Sequence, residues 1–169
     1  HSAFKDCSAL QNIAFPDSMQ SLGKYCQSSN TCYGDQFLGC TSLKSVVTGD
    51  GLKSIPPRSF SGCTALQSVS LGKSLTSLDD SSSFAGCQIT SLVLNSSAIA
   101  NRGNIPRKYF KNSLYSLREV IIGNQATVVG SNAFYGLKSL NILTLSNSVT
   151  TIGGNAFSGC TNLKNLTMS

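Results

Sequence analysis

The sequence predicts a mainly β fold: one domain over residues 1–169, built as a right-handed solenoid. About seven coils of 23–26 residues would stack their short strands in parallel, with little or no α-helix. Three observations carry this. First, a unit opening on Phe recurs, with starts at Phe4, Phe37, Phe60, Phe84, Phe110, Phe134 and Phe157, separated by 33, 23, 24, 26, 24 and 23 residues. A fixed period of roughly 20 to 50 residues marks a repeat array. Second, each unit carries an apolar run that ends in a pair two residues apart, as in Leu66, Val69 and Leu71, and that spacing is strand periodicity. Third, Gly and Ser interrupt every stretch before helical spacing can persist. Strands in successive coils would lie about 4.8 Å apart, and parallel crossovers default to the right hand. No coil could close a core alone.

The units follow in order. Unit one holds Phe4, Cys7, Leu10, Ile13 and Phe15, then an insertion over 24–36. Units two and three are the most regular: Phe37, Cys40, Leu43, Val46, and Phe60, Cys63, Leu66, Val69. Unit four runs through Phe84, Cys87, Ile89, Leu92 and Leu94 into an irregular stretch to 109. Unit five, from Phe110, deviates most and carries Ser113 at the Cys position. Unit six has Leu137 there, and unit seven restores Cys160. Gly23, Gly130 and Gly153 follow the second apolar cluster of their units, where turns with positive φ are expected. Neither end has the polar cap that closes most solenoids, so the sequence reads as a segment of a longer chain.

Phe134-x-x-Leu137-x-x-Leu140-x-x-Leu143-x-Leu145-x-x-Ser148-Val149-x-x-Ile152-Gly153-x-x-Ala156-Phe157 resembles the BspA-type leucine-rich repeat nearly throughout. The likeness spans the chain except about 24–36 and 95–109. It implies a right-handed leucine-rich-repeat solenoid belonging to a cell-surface or secreted protein of a bacterium or protozoan. The implied role is non-enzymatic: adhesion to a host or other extracellular protein or glycan. The alternative is a structural spacer without a ligand of its own.

Charge and composition limit other functions. Only 12% of residues are charged, with a net charge of +6. A positive balance favours anionic partners without specifying a fold. No apolar run reaches the roughly 18 residues of a membrane span, so no membrane insertion by this segment is expected. Nucleic acid is not expected either, since no recognised motif frames the basic residues. No cofactor is expected. Catalysis has little support: the sole His is His1, no Ser has a His partner, and Asp79-Asp80 is placed at a turn.

Cys7, Cys40, Cys63, Cys87 and Cys160 share one repeat position. They read as a stacked column of small buried side chains, because Leu137 replaces one of them and could not replace a metal ligand. No metal site is expected. Cys26 and Cys32 lie in the insertion, six residues apart. They predict a disulfide in an oxidising compartment and do not match zinc spacing.

Two candidate ligand surfaces remain. Arg102, Arg107, Lys108, Lys111 and Arg118 form a basic run, interleaved with Tyr109 and Tyr115, with no acid until Glu119. It is expected to protrude as a loop, either binding an anion or simply carrying solvated charge. The outward strand positions form two columns, Ala14, Val47, Ser70, Val93, Ile121, Thr144, Thr167 and Asn12, Ser45, Ser68, Ser91, Glu119, Ile142, Asn165. Val47, Val93, Ile121 and Ile142 there are either an apolar contact patch or β-branched residues suited to strands.

Overall fold

The computed structural model describes residues 2–28, 31–78 and 82–169; His1 and Asp79-Asp80 lie outside them. One face of each coil is a short strand. These are β1 (Asn12–Ala14), β4 (Ser45–Val47), β6 (Ser68–Leu71), β8 (Ser91–Leu94), β9 (Glu119–Ile122), β11 (Ile142–Leu145) and β13 (Asn165–Met168). They pair in that order as one seven-stranded parallel sheet. The period-two pattern explains the burial. Val69, Leu71, Leu92, Leu94, Val120 and Ile122 point into the core, while Ser68, Ser70, Ser91 and Val93 alternate outward. On the opposite side lie two-residue strands: β5 (Ser54–Ile55) pairs with β7 (Ser77–Leu78), and β10 (Val128–Val129) with β12 (Thr151–Ile152). A hairpin of β2 (Tyr25–Ser28) and β3 (Thr31–Tyr33) occupies the insertion. Among the described residues no helix is long and apolar enough to cross a membrane.

Seven strands stack, but only five coils are complete, those closing between Phe37 and Phe157. The first unit is interrupted by its hairpin, and the last contributes strand β13. Little helix is present, as the periodicity implies. Among the described residues the two short helices, α1 (Ser97–Ala100) and α2 (Ile105–Tyr109), fall in the irregular stretch, and a 3-10 turn at Lys111–Ser113 follows at the start of unit five.

The Phe-x-Gly-Cys turn is the second stacking element. Phe4, Phe37, Phe60 and Phe84 stack with centroids 5.1–5.3 Å apart, and Phe134 and Phe157 stack at 5.4 Å. The thiols of Cys40 and Cys63 donate to the carbonyls of Phe4 and Phe37 at 3.1 Å, and that of Cys87 to Phe60 at 3.3 Å. Ser113 also uses its place in the column polarly: its hydroxyl donates to the Cys87 carbonyl and accepts from the Ile89 N–H.

Positive φ occurs at Gly39, Gly62, Gly86, Gly136 and Gly159, just before the Cys position, and not at Gly23, Gly130 or Gly153. This corrects the sequence expectation. In units five and six the left-handed residue of the second turn is Asn132 or Asn155, since Asn tolerates that region. At Gly130 and Gly153 the reason is space: a Cβ at Gly130 would strike the Asn101 carbonyl, and one at Gly153 the Ser131 backbone. Gly130→Ala is therefore expected to cost about 1–3 kcal/mol by overpacking, measured as a lower urea midpoint.

Burial also tunes the thiol column. Desolvation pushes the Cys63 thiol up to about 12 from an ordinary 9.0, with the neighbouring Cys40 thiol adding to the rise, and Cys87 is raised by its own burial and then by the Cys63 thiol. The folded state thus keeps the neutral thiol after the unfolded chain has begun to ionise. That stability is whole below about pH 9 and is lost as pH rises toward about 12. The melting temperature should fall through this window, and Cys63→Ala/Cys87→Ala should flatten the fall relative to the unsubstituted chain.

Candidate binding surfaces

The two candidate surfaces begin from the same backbone register. In the sheet, Val93 and Ile121 are direct cross-strand partners. Ile142 pairs with Glu119, one diagonal step from Ile121. These three form a contiguous aliphatic patch, with Ile142 38% exposed. Val47 is 43% exposed but stands apart, because Ser70 separates it from Val93. Apart from Ile142, the second column is polar: Ser45 donates to Asn12 Oδ1 at 2.7 Å, and Ser91 to Glu119 Oε2 at 2.7 Å. The only carboxylate among the paired outward positions is therefore already engaged.

The basic run is not a protruding loop. Helices rise about 1.5 Å per residue where a strand rises about 3.3 Å, so α1 and α2 absorb the longest uninterrupted spacing close to the body. Ser96 caps α1, its hydroxyl accepting from the Ile99 N–H at 3.1 Å and donating to the Leu75 carbonyl. Pro106 is the second residue of α2, in the first turn, where its missing N–H is harmless. Ile99, Ala100, Ile105, Tyr109 and Phe110 turn into the core in place of a second strand.

This packing separates the five cations. Arg102 is a brace: its guanidinium donates to the carbonyls of Ala98 (3.2 Å) and Thr76 (3.0 Å) and to the Tyr109 hydroxyl (3.2 Å). Lys108 lies 5.4 Å from the centroid of the Tyr109 ring. Arg107, Lys111 and Arg118 are exposed. Arg107 lines a hollow of about 210 Å³ with Asn104, Leu114, Tyr115, Tyr135 and Lys138. Tyr135 and Lys138 carried no signal in the sequence, because only the register between units five and six brings them opposite α2.

In the insertion, Cys26 and Cys32 face each other across the hairpin and are joined by a disulfide. Its base is fixed to the next coil. Gly34 N–H donates to the Pro57 carbonyl at 2.7 Å, Arg58 lies 4.6 Å from the centroid of the Tyr33 ring, and Arg58 Nε lies 3.1 Å from Asp35 Oδ1. Among the described residues no group of three or more His, Cys, Asp or Glu side chains could hold a metal ion.

The division of the basic run is measurable. Arg102→Ala should lower stability by about 1.5–3 kcal/mol, since charged hydrogen bonds are lost. Arg107→Ala should stay within about 0.5 kcal/mol, both read from denaturant unfolding.

Residues 30–104 and 103–169 match the BspA type leucine-rich repeat region, in six copies. Among solved structures, a leucine-rich repeat protein from Bacteroides ovatus is 22% identical, with a TM-score of 0.52. That alignment covers 98% of this chain and 39% of the Bacteroides protein. A leucine-rich cell surface protein from Faecalibacterium prausnitzii is 18% identical with a TM-score of 0.39, over 99% of this chain and 62% of that one. The chain thus spans less than two thirds of either protein. A search of curated proteins gives no match. The Bacteroides likeness shows a shared fold, and with the repeat matched over most of its length the chain belongs to the BspA-type leucine-rich repeat family.

Proposed function

We propose that this solenoid is a non-enzymatic binding module of a cell-surface or secreted protein, adhering to a host or other extracellular protein or glycan. The observation that carries the reading is the outer face of the parallel sheet. Its two columns are rigidly registered and almost uncharged, and Val93, Ile121 and Ile142 make one aliphatic patch. Such a patch, with Val93 and Ile121 half-buried and Ile142 exposed, is the kind of surface that marks a protein contact. Depletion of charge at the centre of a patch is also the compositional signal of an interface core. An extracellular setting is supported by the Cys26–Cys32 disulfide, since such bonds persist in oxidising compartments.

The test is binding of the chain to a panel of immobilised extracellular-matrix proteins at low and high salt. Contact through the aliphatic patch survives high salt, because burial of apolar surface is not screened. The triple variant Val93→Thr/Ile121→Thr/Ile142→Thr keeps strand propensity and should weaken binding about tenfold or more, the effect of losing a hot-spot cluster. Binding to none of the panel at either salt would favour a structural spacer instead.

A further inference from the structure

The net charge is not spread along the solenoid. Residues 1–80 hold six basic and six acidic side chains, whereas residues 81–169 hold seven basic and one acidic, which gives that half all of the +6. The single acid there, Glu119, already accepts from Ser91. A surface with one sign of charge concentrates ions of the other sign, and this half carries a hollow between α2 and the turns of units five and six.

The hollow forms where unit five is one residue longer: Leu117 lies seven positions after Phe110, whereas in unit three Leu66 lies six after Phe60. The extra residue is taken up by the 3-10 turn and displaces Tyr115 outward, where it is 89% exposed. Tyr135, on the next coil, is 50% exposed. Arg107 stands over the turn at Gly136, within 3.6 Å of where a Cβ there would lie. The floor is fixed: Ser139 Oγ bonds the carbonyls of Leu114 (2.9 Å) and Leu117 (2.7 Å), and Gly136 N–H donates to the Ser158 carbonyl at 2.8 Å. Two flat aromatic side chains, each with a hydroxyl, and two cations therefore line one preformed depression.

We propose that this depression binds an anionic saccharide, a sulfated or uronate-bearing ring within an extracellular glycan. The proposal rests on the adhesive reading above and adds a second, separate site. Tyr115 and Tyr135 offer apolar faces to the ring and hydroxyls to its oxygens, while Arg107 and Lys138 pair with the sulfate or carboxylate, Arg through its planar fork. At about 210 Å³, the hollow is smaller than the roughly 300–1,000 Å³ of enclosed ligand sites, so it suits one ring of a longer chain that continues along the surface. An acidic peptide fits less well. A peptide that docks by strand addition needs a free strand edge, and here the walls are α2, Leu114-Tyr115 and the turn at Tyr135.

The experiment titrates the 169-residue chain with a heparin octasaccharide, neutral maltooctaose and poly-glutamate by calorimetry at low salt, with melting curves for each variant. The octasaccharide should bind and maltooctaose should not. Arg107→Ala/Lys138→Ala should weaken binding about tenfold or more. The same charge removed in the other half of the solenoid, Lys5→Ala/Lys53→Ala, and measured again at about 0.15 M salt, where charges more than about 8 Å apart are screened, should change it less than about twofold. Tyr115→Ala/Tyr135→Ala should weaken it about fivefold or more at unchanged charge. Lys138→Glu, a single exposed change, should abolish it. Equal loss in both charge variants, or no loss in the tyrosine variant, would mean diffuse attraction and overturn the site. Poly-glutamate binding as tight as the octasaccharide, with the same tyrosine dependence, would assign the site to an acidic peptide. Matrix-protein binding measured in parallel separates the two readings. If it persists while octasaccharide binding fails, only this site falls; if both fail, the adhesive reading falls with it.

Discussion

Each coil closes only by using the backbone of its neighbour. On the sheet side, Ser68 and Ser91 N–H groups donate to the carbonyls of Lys44 and Gln67 one coil back. On the turn side, Phe37 and Phe60 N–H groups donate to Ser59 and Ser83 one coil ahead, both at 2.9 Å. A buried backbone group without a partner costs about as much as a lost hydrogen bond, so both ladders must hold at every step. The period of 23–24 residues is the length that lets them hold together. The stacked Phe rings and the Cys column then fill the space that the two ladders enclose.

That constraint explains where the fold departs from regularity. A coil with surplus residues cannot lengthen its strand without losing register. The surplus of unit one is spun out as a disulfide-closed hairpin. The surplus of unit four is wound into α1 and α2, which still keep the ladder: Asn104 and Ile105 N–H groups donate to Asn132 and Ala133 at 3.1 and 2.9 Å. Both irregularities leave the sheet undisturbed: the hairpin lies outside the repeat, α1 and α2 supply core residues in place of a second strand, and the hollow lies where α2 meets the extra residue of unit five.

Much of this was legible in the residues. The Phe anchors and the Leu-x-x-Val-x-Leu runs repeat, and repetition gave the coils, the parallel sheet and the register of both outward columns. The Gly two residues after most anchors is equally visible, yet the repeat pattern points to positive φ at Gly130 and Gly153, where the demand is for space. Contacts between side chains of different coils were not legible. Arg102 reads as one more surface cation until α1 and α2 fold it against Thr76 and Tyr109. Tyr135 and Lys138 occupy ordinary repeat positions; what sets them apart is the extra residue two dozen positions earlier.

The relation between one coil and the next is one repeated step, and a repeated step makes a ruler. Along the sheet each step of about 4.8 Å presents one further pair of outward side chains, so position along the axis is counted in coils. The aliphatic patch of β8, β9 and β11 and the hollow between α2 and unit six occupy neighbouring graduations on different sides of one rod. A partner gripping both would be held at a fixed angle around the axis as well as at a fixed height.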